Sequence, residues 1–168
     1  TITVSSTVNS TAIIFGSTNG AVILNGGSIT LRGNIYTSAD NTSNMQTINS
    51  NVAFIGNADR TIGGGTSIAD RLTINGNISG GGTGTYLYVS TENNLGTVTL
   101  NGTNSIAKIL VVQTGQLNVS RVTNAGVAGT LGSGTTLVFG NGGASQPNLW
   151  YTGTSANSTN RTINLNGG

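Results

Sequence analysis

Short runs that alternate aliphatic and polar residues stop repeatedly at Asn-Gly. Ile23-Leu24-Asn25-Gly26-Gly27, Thr73-Ile74-Asn75-Gly76-Asn77, Thr99-Leu100-Asn101-Gly102-Thr103 and Asn164-Leu165-Asn166-Gly167-Gly168 share this form at unequal spacing. Period-two alternation marks a half-buried strand, and Asn-Gly closes a strand in a tight turn. Thr1-Ile2-Thr3-Val4, Ser28-Ile29-Thr30-Leu31 and Thr162-Ile163-Asn164-Leu165 alternate in the same way. A second echo pairs Asp59-Arg60-Thr61-Ile62-Gly63-Gly64 with Asn160-Arg161-Thr162-Ile163-Asn164. Internal repetition with irregular spacing predicts a β-solenoid whose coils differ in loop length.

Composition supports an all-β chain. Gly, Asn, Thr and Ser make up a little more than half of the 168 residues, all poor helix formers, and no stretch keeps an apolar 3.6-residue period. The length suits one domain, here residues 1–168. The alternative architecture is an antiparallel β-sandwich, because Asn-Gly also makes two-residue hairpins. Against it stand the shortness of the runs and an aromatic content of 5%, since sandwiches usually have longer strands and more aromatics. The most apolar stretch, Ile106-Ala107-Lys108-Ile109-Leu110-Val111-Val112, is expected to be a strand buried on both faces or covered by a loop. The polar segment Asp40–Gln46 is expected to be a surface loop.

The run Arg71-Leu72-Thr73-Ile74-Asn75-Gly76-Asn77-Ile78-Ser79-Gly80 resembles the repeat of the autotransporter-associated β-strand family. So do Val112-Gln113-Thr114-Gly115-Gln116-Leu117-Asn118-Val119, Thr130-Leu131-Gly132-Ser133-Gly134-Thr135-Thr136-Leu137 and Leu149-Trp150-Tyr151-Thr152-Gly153. The similarity is clearest over residues 52–168. It implies a right-handed parallel β-helix in a secreted or surface-displayed passenger, and hence an extracellular or bacterial cell-surface location. It implies no chemistry, because the repeat is a scaffold.

The sequence also narrows the chemistry. It has no Cys and no His, which removes thiol nucleophiles, zinc–thiolate sites and the usual acid–base group near neutral pH. Six basic residues, Arg32, Arg60, Arg71, Lys108, Arg121 and Arg161, are scattered and give a net charge of +2, too sparse to neutralise a nucleic-acid backbone. No apolar run reaches the roughly 18 residues of a transmembrane helix. The acids are Asp40, Asp59, Asp70 and Glu92. Asp59-Arg60 and Asp70-Arg71 repeat one dipeptide, which reads as a structural ion pair or turn contact. The enzymatic alternative is a polysaccharide lyase using these acids. A calcium site built on Asp70 and backbone carbonyls would be thin in carboxylates. Thr-x-Thr at Thr1/Thr3, Thr83/Thr85, Thr97/Thr99 and Thr152/Thr154 would bind ice only if stacked regularly from coil to coil.

Two groups of residues remain. Trp150-Tyr151 and Tyr86/Tyr88 are candidate surface aromatics for glycans, or else rungs that cover the core. The terminal strands Thr1, Ile2, Thr3, Val4 and Thr162, Ile163, Asn164, Leu165 do not read as capped coils. The expectation is a non-enzymatic structural protein without a cofactor, of seven or eight coils of ~20–25 residues stacked at ~4.8 Å over ~35–40 Å. Its partners would be copies of itself joined head to tail into a filament, stalk or surface layer, or the remainder of a longer solenoid. The inward positions would be Ile2, Val4, Ile29, Leu31, Leu72, Ile74, Val98, Leu100, Leu117, Val119, Leu137, Ile163 and Leu165.

Overall fold

The computed structural model describes residues 1–16, 20–37, 45–64, 70–82, 84–89, 95–107, 109–140 and 146–166. Asp40, Glu92, Lys108 and Thr83 lie outside the described residues. So do the side chains of Ile109 and Val111, on which the two-face burial of that stretch would turn.

The chain forms short strands and, among the described residues, no helix. The first coil holds β1 (Ile2–Thr3), β2 (Thr7–Ser10) and β3 (Ile13–Phe15), and the second holds β4 (Ile23–Asn25), β5 (Ser28–Leu31) and β6 (Ile35–Thr37). The third holds β7 (Met45–Ile48), β8 (Asn51–Phe54) and β9 (Arg60–Gly63). The fourth holds β10 (Arg71–Ile74), β11 (Ile78–Gly80) and β12 (Tyr86–Val89). The last three coils keep two strands each: β13 (Thr97–Leu100) and β14 (Ile109–Val112), β15 (Gln116–Val119) and β16 (Thr136–Phe139), then β17 (Asn148–Tyr151) and β18 (Thr162–Leu165).

The strands stack into three walls. Wall A runs β1-β4-β7-β10-β13-β15-β17, wall B runs β2-β5-β8-β11, and wall C runs β3-β6-β9-β12-β14-β16-β18. Neighbours in every wall are parallel, as in β10–β13, β5–β8 and β14–β16. The antiparallel sandwich is therefore wrong, and the fold is a β-solenoid. Asn-Gly turns the chain around a corner into the next wall instead of folding it back as a hairpin. The lone antiparallel contact among the described residues is an isolated bridge between Asn104 and Gly129.

Register explains the alternation. On wall A, Leu72, Val98 and Leu117 stack in one inward row, and Ile48, Ile74, Leu100 and Val119 in the other. On wall B, Ile29, Val52 and Ile78 align, and on wall C Leu87, Leu110 and Leu137 align. These side chains are buried in one continuous core. Each adds about 1.5–3 kcal/mol of transfer free energy before conformational entropy is set against it. Met45 and Gln46 correct the surface-loop reading of Asp40–Gln46, because both belong to β7 and Gln46 is fully buried. Gln46 occupies an inward position in register with Leu72, and its Oε1 accepts the Val22 amide at 2.8 Å. A side chain thus meets a backbone donor that the short β4 leaves outside the ladder.

Wall B stops after β11. Beyond it the third side is irregular but still bonded: Ser105 N donates to Ile78 O at 2.9 Å and Ser133 N to Ile106 O at 2.8 Å. Ile106 and Leu131 keep the core closed there.

Candidate functional site

The outer face of wall A carries a concave surface. Outward residues of successive strands stack just as inward ones do, so Arg71, Thr97 and Gln116 form one row, and Thr73, Thr99, Asn118 and Trp150 form the next. Together with Met45 and Thr152 they line a groove of about 310 Å³. Its floor is threonine and amide. Trp150 stands at one end, 59% exposed, and Arg71 stands exposed nearer the other.

The floor is internally bonded. Gln116 Nε2 donates to Asn118 Oδ1 at 2.6 Å, and Asn118 Nδ2 donates to Thr99 Oγ1 at 3.4 Å. This chain fixes the amide orientations and leaves the Gln116 carbonyl oxygen as an acceptor and the Thr99 hydroxyl as a donor. No carboxylate lines the groove among the described residues.

The candidate aromatics do not form one surface. Tyr86 and Tyr88 lie on β12 in wall C, with ring centroids 5.6 Å apart and planes at 30°. Trp150 and Tyr151 lie on β17 in wall A and point to opposite sides of it. Trp150 is outward, in register with Asn118, whereas Tyr151 is in the inward row with Val119. The Tyr151 hydroxyl donates to Ser155 O and accepts from Asn157 Nδ2 at 2.7 Å, so this ring is tied to the segment that follows β17.

Asp59 bridges two coils, and Arg60 braces the corner of its own. Asp59 Oδ1 accepts the Tyr86 amide at 2.8 Å, one coil on. Arg60 is buried and donates to Asp59 O at 2.8 Å and Ile55 O at 2.7 Å. Asp70 is fully buried at the corner before wall A. The two Asp-Arg dipeptides thus sit at different corners, before β9 and before β10, and Asp59 is engaged with backbone rather than with a facing acid. Among the described residues no group of three or more acids could hold a metal ion.

Thr97 and Thr99 share a strand face, but the rungs on either side carry Arg71/Thr73 and Gln116/Asn118. No flat Thr-x-Thr array forms there.

Both end coils carry inward-row residues that are open to solvent. Ile2 and Val8, aligned with Leu24 and Ile29, are 56% and 45% exposed. At the other end Leu149, Ile163 and Leu165 continue the rows of Leu117, Leu137 and Phe139, and Leu165 is 77% exposed.

No protein-family model, curated protein or solved structure matches the chain. The likeness to the autotransporter-associated β-strand repeat therefore rests on the sequence runs alone.

Sequence reasoning named the end strands and the four aromatics as candidates, and the structure places them on the end coils and on two different walls. It passed over Arg71, Gln116, Asn118 and Thr99 as a set, because they become neighbours only once the coils are aligned. The available signal was the outward half of each alternating run whose inward half was recognised.

Proposed function

We propose that this chain is a non-enzymatic structural protein, a β-solenoid building block that self-assembles head to tail into a filament, stalk or surface layer outside the cell. The observation that carries the reading is the exposure of Ile2 and Val8 on one end coil and of Leu149, Ile163 and Leu165 on the other. These residues occupy rows that are buried throughout the body of the solenoid. Among the described residues, the edge strands β1, β2 and β3 at one end, and β17 and β18 at the other, each pair on one side only.

A further coil laid on either end, from another copy or from the rest of a longer solenoid, would extend the parallel ladders and cover the exposed row. The two ends of one molecule are complementary in this sense, so their contact is heterologous and propagates. Low charge limits repulsion along such a stack. The polar side chains support a structural role, because Asp59 is spent on a contact with the next coil and Arg60 on backbone carbonyls of its own. The extracellular location is supported by the resemblance quoted above.

Negative-stain electron microscopy of the purified chain at physiological salt tests the reading. Uniform filaments are expected, and deletion of residues 1–4 or Leu165→Lys should give dispersed subunits with an unchanged far-UV spectrum. Dispersed wild-type monomers, or normal filaments from either variant, would overturn it.

A further inference from the structure

We propose that the outer face of wall A binds an acidic oligosaccharide lying along the solenoid axis, with one sugar ring on Trp150 and a carboxylate at Arg71. This site is on the flank of the molecule: it takes Trp150 from the outer face of β17 in the last coil and uses none of the inward rows of the end coils.

Trp150 is the first argument. Its indole is 59% exposed, although its strand neighbour Tyr151 shows that an aromatic here can turn inward and be tied down. An indole held over a floor of hydroxyls and amides presents an apolar plate beside hydrogen-bonding groups. That combination suits a sugar ring, which offers C–H groups on its face and hydroxyls at its edge.

Arg71 is the second. It is in register with Met45 and Thr97, is exposed, and shares the groove with Trp150. A guanidinium is the side chain best matched to a carboxylate, through two parallel N–H···O bonds. With no acid lining the groove among the described residues, its charge favours an anionic ligand. A single cation is too little for a polyphosphate chain.

The third argument is spacing. Arg71 on β10 and Trp150 on β17 are three strand spacings apart, roughly 14 Å along the axis. Between them lie Thr73, Thr97, Thr99, Gln116 and Asn118. The Gln116–Asn118–Thr99 chain is already ordered, so little side-chain freedom is lost on binding. The groove is open at the surface and follows a straight ladder, which suits a linear ligand of several sugar residues. The other exposed aromatic pair fits an anion poorly, because Tyr86 and Tyr88 stack on one another beside Asp59.

Isothermal titration with a hexamer of galacturonate, and with cellohexaose as the neutral counterpart, tests the assignment. The uronate should bind about tenfold more tightly than the neutral chain, a difference on the scale of one charge-assisted contact. Arg71→Gln should reduce uronate affinity about tenfold, to the neutral level, and leave cellohexaose unchanged. Trp150→Ala should weaken both ligands about tenfold, and Trp150→Phe should retain most of the affinity. Far-UV circular dichroism of each variant separates lost binding from lost fold, and Arg71, exposed in the middle of the wall, keeps the test decisive if Trp150→Ala is unstable. Absence of uronate binding to wild type, or uronate affinity unaltered in Arg71→Gln, would overturn the proposal.

Discussion

Asn75 Nδ2 donates to Asn49 Oδ1 at 2.7 Å, from the residue that follows β10 to the one that follows β7. Asn101 repeats the contact onto Asn75 at 2.8 Å, and Asn49 repeats it onto Asn25. Four side-chain amides thus form one ladder along the corner of wall A, spaced by 24, 26 and 26 residues. Every donor points toward the first coil, so each bond polarises the next. Removing an inner rung breaks two bonds. Asn75→Ala should cost about 1–3 kcal/mol, at roughly 0.5–1.5 for each net bond, read from the midpoint of urea unfolding. Asn75→Asp should cost more at neutral pH, because a carboxylate would face the Asn49 oxygen. It should recover on acidification below about pH 4, where protonation restores a donor. A variant as stable as wild type would show that the ladder follows the fold without supporting it.

The glycine beside that ladder is required by crowding rather than by backbone conformation. A Cβ on Gly76 would fall on the Ser50 carbonyl of the preceding coil, and one on Gly102 would fall on the carbonyl of Gly76. Both obstacles are backbone and cannot rotate aside. Gly76→Ala should therefore destabilise by about 1–3 kcal/mol, as overpacking does. Gly16, with nothing within 4 Å of an added Cβ, is the control, and Gly16→Ala should stay within about 0.5 kcal/mol. Thermal melts of the two variants check the contrast, and equal melting temperatures would refute it.

These two positions also show how much of the fold was legible. Ile74-Asn75-Gly76 and Leu100-Asn101-Gly102 announce their turns, and Leu72, Ile74, Val98 and Leu100 all face the core as alternation predicts. Coil three uses Ile48-Asn49-Ser50 at the same corner, so its rung escaped a search for Asn-Gly. The echo of Asp59-Arg60 in Asn160-Arg161 is real in chemistry, since both arginines are buried against backbone carbonyls. It is displaced in register, because the row of Arg60 runs through Leu87, Leu110 and Leu137 to Ile163, two residues past Arg161. The loss of wall B after β11 left no mark in local patterning, since Asn104, Ile106 and Leu131 seal that side without regular strands. Alternation predicts Ile163 and Leu165 to be inward, and they do lie in inward rows, yet they are exposed because no coil among the described residues covers them. The wall A groove depends on which residues stack across coils, and that follows from register rather than from any single run.

Tyr88 gives the molecule an alkaline limit. Burial raises its pKa above the ordinary value, and the nearby charges of Asp59 and Tyr86 raise it further. A phenol whose folded pKa is raised keeps its proton longer in the folded state than in the unfolded one. Stability is therefore intact below about pH 10, the unfolded value, and falls as pH rises through the folded pKa. The difference in tyrosine absorbance between wild type and Tyr88→Phe should titrate above the ordinary value for a phenol. Asp59→Asn should bring that phenol's titration earlier by taking away a like charge. Titration of Tyr88 with the ordinary tyrosines would contradict the assignment.

Arg161 locks the last coil to the long excursion of the coil before it. Its Nε donates to Thr123 O at 3.0 Å and its Nη2 to Gly132 O at 2.8 Å, while Nη1 reaches Gly134 O. Burial lowers its pKa, but a guanidinium stays charged at any physiological pH. Asn124 and Asn160 add a reciprocal pair, with Asn160 N donating to Asn124 Oδ1 at 3.1 Å and Ala125 N to Asn160 Oδ1 at 2.9 Å. Arg161→Met would leave several inward-facing carbonyls without their donor, a loss of about 2–3 kcal/mol for hydrogen bonds made by a charged group. Arg161→Lys should recover only part of it, because a compact ammonium cannot span Thr123, Gly132 and Gly134 at once. A solenoid couples each coil chiefly to its neighbours, so the damage should stay local. Hydrogen exchange should speed up across residues 121–135 and in β17 and β18, while β7, β8 and β10 keep their protection. Faster exchange through all three walls would mean that the coils unfold as one body and that Arg161 supports the whole solenoid.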